Sequence, residues 1–267
     1  MYAYGGISIV NAIPAWLGSV MAIDLKTYVE VSVCENENVC TYPSPLIETI
    51  IDYFVEKYTL PPSRVDIYSE IPQSSGLKSS SAVAVATIRS IIDRFGIYEP
   101  SIPRLAAELS KIAGVSITGA LDDASAAFYG GIVFTDNLNM SILRVTDFRD
   151  DLDVVLLFKG TRKNIDVEKM RKHYSLFKYI FELAYSGDIF RAMTLNGLFI
   201  ARIMGYDEDI VRRAIELGAL AAGVSGNGPT IFAVCREGDG GPLAEYFANY
   251  GSVKIVRPAR ISSGVDI

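Results

Sequence analysis

Histidine is nearly absent from this chain of 267 residues. The one copy, His173, sits between Lys172 and Tyr174 in a helical stretch and reads as structural or solvent-exposed. That leaves no histidine for a Ser-His-Asp relay or a histidine-bound catalytic metal. Cysteine is scarce too. Cys34, Cys40 and Cys235 show no C-x-x-C spacing, so neither a zinc site nor a disulfide framework is expected, and a reducing cytoplasm fits. No Gly-Lys-Ser/Thr triplet occurs, which excludes a Walker A loop. Basic residues are outnumbered, 25 Lys and Arg against 31 Asp and Glu, for a net charge of -6, and nucleic acid is not an expected partner. The longest apolar run, residues 12–23, is too short to cross a bilayer and reads as buried chain, so no membrane partner is expected either. Internal repeats and low-complexity tracts are also missing.

What remains is a globular composition, half hydrophobic and 21% charged, with length enough for one large domain or two ordinary ones. A polar break around residues 136–151 divides it, which predicts an N-terminal domain over 1–149 and a C-terminal domain over 150–267. The stretch IPQSSGLKSSSAVAVA, residues 71–86, is the most informative. An alternating strand over 65–71 runs into it and an Ala/Val-rich buried helix, closing at Gly96, runs out. Between them lie Ser74, Ser75, Gly76, Leu77, Lys78, Ser79, Ser80 and Ser81. Small residues let the backbone approach a ligand, and a helix starting at about residue 80 turns unpaired N–H groups into that loop. Its natural guest is a phosphate, although serine before a helix also serves simply as a cap.

Two further stretches carry polar groups where the flanks predict burial. In GVSITGALDDASAAFYGG the adjacent Asp122 and Asp123 need a cation, a metal or hydrogen-bond donors, or else cap the helix that follows. In GVSGNGPTIFAV the residues Gly223, Ser225, Gly226 and Gly228 build a tight turn before a buried strand. Asn11 can orient a substrate hydroxyl or bond its own turn. Arg162 and Lys163, in a loop after an apolar strand over 153–158, can hold a carboxylate or simply face solvent. Helices are expected over 46–58, 102–113, 166–186, 188–204, 208–222 and 241–250, with a last strand over 253–256.

The order Pro72, Gly76, Leu77, Ser79, Ser80, Ala82 resembles the P-x-x-x-G-L-x-S-S-x-A signature of the GHMP small-molecule kinases. The texts GGISIVNAI, SSGLKSSSA and SITGALDDASAAFYGG are similar to the archaeal-type shikimate kinases within that family. The resemblance implies an α+β GHMP kinase fold, with an N-terminal domain like ribosomal protein S5 domain 2 and a C-terminal ferredoxin-like domain. It implies ATP and Mg²⁺ as cofactors and phosphorylation of the 3-hydroxyl of shikimate within the chorismate pathway. Residues 74–81 are then the ATP phosphate loop, with Lys78 adding a cation. Asp123, six residues before Tyr129, is the catalytic group. Asn11, Asp122, Arg162 and Lys163 are substrate-binding candidates, Arg257 and Arg260 further carboxylate partners, and Ser80 and Glu108 the metal ligands. The turn with Gly223, Ser225, Gly226 and Gly228 supports the nucleotide loop. Two departures stand out: most of the family has glycine where Lys78 stands, and Pro14, Ala15, Trp16 and Leu17 fill a loop in which many members carry lysine. Homoserine kinase, mevalonate kinase and a silent nucleotide-binding sensor are the alternatives. Monomer and homodimer both stay open.

Overall fold

The computed structural model describes residues 1–34, 40, 42, 44–148, 151–161 and 163–262. The first half runs β1 (Tyr2–Val10), α1 (Ala12–Ala15), β2 (Leu17–Val33), α2 (Pro45–Tyr58), β3 (Ser63–Ser69), α3 (Ser79–Phe95), α4 (Ile102–Ile112), α5 (Leu121–Tyr129), β4 (Ile132–Asp136) and β5 (Ser141–Thr146). The second runs β6 (Leu152–Phe158), α6 (Val167–Arg171), α7 (Tyr174–Tyr185), α8 (Ile189–Met204), α9 (Glu208–Glu216), β7 (Ala221–Val224), β8 (Ile231–Arg236), α10 (Gly240–Ala248) and β9 (Ser252–Val256).

Each half builds one antiparallel sheet. In the first, the long strand β2 pairs with β1 along one edge and with β3 and then β4 along the other, and β5 closes the far side. In the second the order is β7-β8-β6-β9, the β-α-β-β-α-β arrangement of a ferredoxin-like sheet. Chain direction changes sheet between Thr146 and Leu152. The C-terminal segment then returns to the first sheet, where Ala259 exchanges backbone hydrogen bonds with Ala22 and Gly131. One large apolar cluster runs through both halves, and a smaller one of Val20, Ala22, Ala126, Val133 and Ala259 lies where the C-terminal segment returns.

Local chemistry explains most elements. Ser44 caps α2 by accepting the Ile47 N–H, with proline at the first turn and Leu46, Ile50 and Phe54 buried beneath. The Ala-rich α3 is covered on nearly every side and ends where Gly96 turns left-handed. Helix α8 comes so close to β7 that Gly197 and Gly223 meet backbone to backbone, with no room for a Cβ on either.

Four expectations need correction. The polar break holds the edge strand β5, whose residues, half of them exposed and half partly buried, show no alternation. The helix expected over 166–186 is broken by a turn between α6 and α7. The helix expected over 208–222 ends at Glu216, and Ala221–Val224 is instead strand β7, because four buried small and β-branched residues pair with β8. Cys34 and Cys40, read as unpaired, are joined in a disulfide with Cα atoms 6.3 Å apart; their six-residue separation matched no motif, and cysteine usage no longer speaks for a reducing compartment. Cys235 is buried on β8 beside Asp153 of β6, and burial first, then that carboxylate, push its thiol up to about 11, which leaves it no nucleophile near neutrality. Among the described residues no helix is long and apolar enough to cross a membrane.

Candidate active site

A cleft between the two halves collects the three informative stretches. It is lined by Ser74, Ser75, Gly76 and Lys78 to Ser81 on one wall, by Asp122 and Asp123 on another, and by Asn11 and Gly226 to Gly228 at its floor. The first of these walls is the loop between β3 and α3. Ser74, Gly76 and Lys78 alternate in left-handed backbone, a pattern that turns successive N–H groups to one side as an anion-binding concavity. Helix α3 starts with no side-chain cap, so its first-turn N–H groups point into the cleft with the positive end of its dipole. Leu77 does not face the cleft. Its side chain is fully buried and its carbonyl accepts the Gly6 N–H, which pins the loop to β1.

The glycine turn after β7 backs this loop. Ser225 Oγ donates to the Gly76 carbonyl at 2.9 Å, and the Thr230 N–H donates to the Ser75 carbonyl at 3.1 Å. Gly76 has φ +85, and a Cβ there would overlap the Ser225 carbonyl, so both backbone angle and space require glycine. Gly226 and Gly228 reach the cleft, whereas Gly223 lies behind it against α8.

Asp122 and Asp123 occupy the first turn of α5, where the helix dipole favours acids. Asn137 caps that helix by accepting the Leu121 N–H at 2.7 Å. The two carboxylates differ in surroundings. Asp122 is 3% exposed, lies in the space left by the missing side chain of Gly18, and its Oδ1 has no hydrogen-bond partner among the described residues. Burial, and then the neighbouring charge of Asp123, push its carboxyl up to about 7. Asp123 reaches the open cleft and pairs through Oδ1 with Lys78 Nζ at 2.9 Å.

Asn11 is held from two sides. Its N–H donates to Asn196 Oδ1 at 2.9 Å, and its own amide donates to the Gly226 carbonyl at 2.8 Å. Asn196, fully buried on α8 among Ala192, Met193 and Ile200, escaped the sequence reading, although an Asn in an apolar helix face was a signal. Ser8 was missed as well; its Oγ accepts both from Lys78 Nζ and from the Gly226 N–H. Ile13, Ile165 and the segment Val115 to Thr118 complete the wall beside Asn11.

Several expected residues are not brought to the cleft. Glu108 stands on the exposed face of α4, paired with Arg104. Lys163 turns to the Gly205 carbonyl and lies over the Tyr206 ring. Arg257 pairs with Glu237, and Arg260 with Asp147 and Asp151, all at the surface. Arg162 lies outside the described residues. Ser80 does line the cleft, but no group of three or more His, Cys, Asp or Glu able to hold a metal occurs among the described residues.

Residues 45–131 match the family description "GHMP kinases N terminal domain", and residues 179–253 match "GHMP kinases C terminal". The chain is 36% identical over 250 residues to a shikimate kinase of Methanosarcina mazei, covering 88% of this chain and 84% of that one. It is 36% identical over 272 aligned residues to a shikimate kinase of Methanothrix thermoacetophila, covering 96% and 92%. Among solved structures, the mevalonate kinase of Methanococcus jannaschii superposes with a TM-score of 0.77 at 16% identity over 98% of each chain. A galactokinase of Lactococcus lactis, complexed with galactose, superposes at 0.75 with 13% identity, covering 99% of this chain and 95% of that one. At such identities the structures speak for the fold.

Proposed function

The chain belongs to the GHMP kinase family, and from that premise we propose that it is an ATP-dependent shikimate kinase, converting shikimate to shikimate 3-phosphate. The observation that carries the reading is the opposition across one cleft of an uncapped helix N-terminus in a serine-glycine loop and a cleft-facing aspartate. A polyphosphate fits the first, and a hydroxyl in flight to phosphorus needs the second. The named archaeal relatives supply the acceptor.

In this mechanism the N–H groups of residues 74–81 hold the ATP phosphates. The acceptor oxygen attacks the γ-phosphorus, the O–P bond forms, and the bond to the β,γ-bridging oxygen breaks, so ADP leaves with that electron pair. The hydroxyl proton passes to the Asp123 carboxylate and then to water. Asn11, held by Asn196 and Gly226, borders the acceptor's place in the cleft, and Asp122 lies buried behind Asp123. Ser80, which lines the cleft beside the loop, is the side chain that would help hold Mg²⁺, and the ion would supply charge neutralisation to the phosphates. The two domains meet at the sheet change, residues 1–149 carrying the phosphate loop and 150–267 the glycine turn behind it.

The test is ADP release from purified protein with Mg·ATP and shikimate, homoserine, mevalonate or no acceptor. Turnover with shikimate alone is expected, and Asp123→Asn should keep its fold and ATP binding while losing about 10² to 10⁴ in kcat. Turnover with another acceptor would replace the substrate, and nucleotide binding without turnover would make the protein a sensor.

A further inference from the structure

Lys78 is a bulky residue in a backbone conformation that suits glycine, with φ 69 at the N-cap of α3. Its side chain does not run along the first-turn N–H groups of α3, where a counter-charge for phosphate alone belongs. It crosses the cleft. The stem passes Gly6, where an added Cβ would stand 3.4 Å from Lys78 Cγ. The ammonium donates to Ser8 Oγ at 2.8 Å and pairs with Asp123 Oδ1 at 2.9 Å. Its side chain is only 9% exposed and that of Asp123 18%, so the pair is poorly screened by water. An ammonium has three N–H bonds, and these two contacts engage two of them.

Ser8 extends the connection. Its Oγ also accepts the Gly226 N–H at 3.1 Å, and its own N–H donates to Ser225 Oγ at 3.3 Å. Ser225 in turn bonds the Gly76 carbonyl. One lysine thus joins the phosphate loop, the helix carrying the aspartate, and the glycine turn of the other half.

We infer that Lys78 is a positioning residue for the acceptor: it fixes the Asp123 carboxylate toward the attacking hydroxyl and, through Ser8, ties that carboxylate to the turn behind the phosphate loop. Only the turnover readout rests on the kinase reading.

The test is a double-mutant cycle on the full-length protein, with Lys78→Met, Asp123→Asn and the double variant assayed for kcat and for the KM of ATP. Lys78→Met should lower kcat by about 10²-fold and move the KM of ATP less than about threefold, and adding it to Asp123→Asn should cost less than about threefold more. Lys78→Arg should recover part of the loss. A KM for ATP that rises while kcat holds, or losses that multiply in the double variant, would reduce Lys78 to a phosphate counter-charge and overturn the inference. If neither Lys78 variant folds, Ser8→Ala carries the test. It should lower kcat by about tenfold without changing the KM of ATP, and unchanged kcat overturns the inference. Carboxyl-carbon NMR of the ligand-free protein, with the Asp123 signal assigned by Asp123→Asn, is independent of the acceptor. Lys78→Met, or Ser8→Ala where that variant stands in, should move this signal; an unmoved signal overturns the positioning role even if the protein phosphorylates something other than shikimate.

Discussion

Asp122→Asn should change how the stability of this protein depends on pH. Asp122 is buried with one carboxyl oxygen unpartnered, and burial first, then the charge of Asp123, raise its carboxyl from 3.8 to about 7. The folded chain therefore retains a proton through a window in which the unfolded chain has released it. Stability from this site is fully present below about pH 4, falls as pH rises toward 7, and levels off above that. A rise of about three units is worth about 4 kcal/mol over the whole window, of which about 2 to 3 kcal/mol falls between about pH 5 and about pH 8. Asparagine has nearly the same shape and does not titrate. Urea denaturation of both proteins at about pH 5 and about pH 8 isolates the site, since other groups cancel in the difference. The variant should gain on the wild type by about 2 to 3 kcal/mol on going to the higher pH. An offset that stays constant across the two pH values would refute the argument that Asp122 is held neutral by burial.

Gly76→Ala should be damaging for two reasons, its positive φ and the Ser225 carbonyl that a Cβ meets. A loss of about 1 to 3 kcal/mol, seen as a lower melting temperature, should accompany a rise in the KM of ATP; a variant with unchanged melting and KM would remove the close approach from the account. Glu108→Gln should leave the Mg²⁺ dependence of turnover unchanged, since that side chain lies against Arg104 outside the cleft. A shifted half-saturating Mg²⁺ concentration would show that Glu108 reaches the ion.

The elements that the sequence makes legible are those governed by neighbours in the chain. Ser44 and Pro45 announce α2, Gly96 ends α3, and the Ser-Gly loop precedes an apolar helix as expected, because caps, left-handed turns and apolar stripes act within a few residues. Strands β5 and β7 escaped this logic. The edge strand β5, none of it fully buried, shows no alternation, and Ala221–Val224 is too short and too rich in small residues to contradict a helix until β8 and α8 close on it.

The site divides along the same line. Sequence alone determined that a serine-glycine loop runs into the apolar helix α3, that an aspartate pair opens α5, and that a glycine turn precedes β8, since each is a local arrangement of residue types. Tertiary structure decided what those groups do to one another. Ser8 meets Ser225 across 217 residues and Asn11 meets Asn196 across 185, separations at which no periodicity or spacing carries information. It turned Glu108 and Lys163 away from the cleft and separated a buried, neutralised Asp122 from its cleft-facing neighbour. It also aimed Lys78 at Asp123 rather than along its own helix. A side chain's direction and the dielectric around it are set by what packs against it, and for Ser8 and Asn11 those neighbours come from the opposite half of the chain.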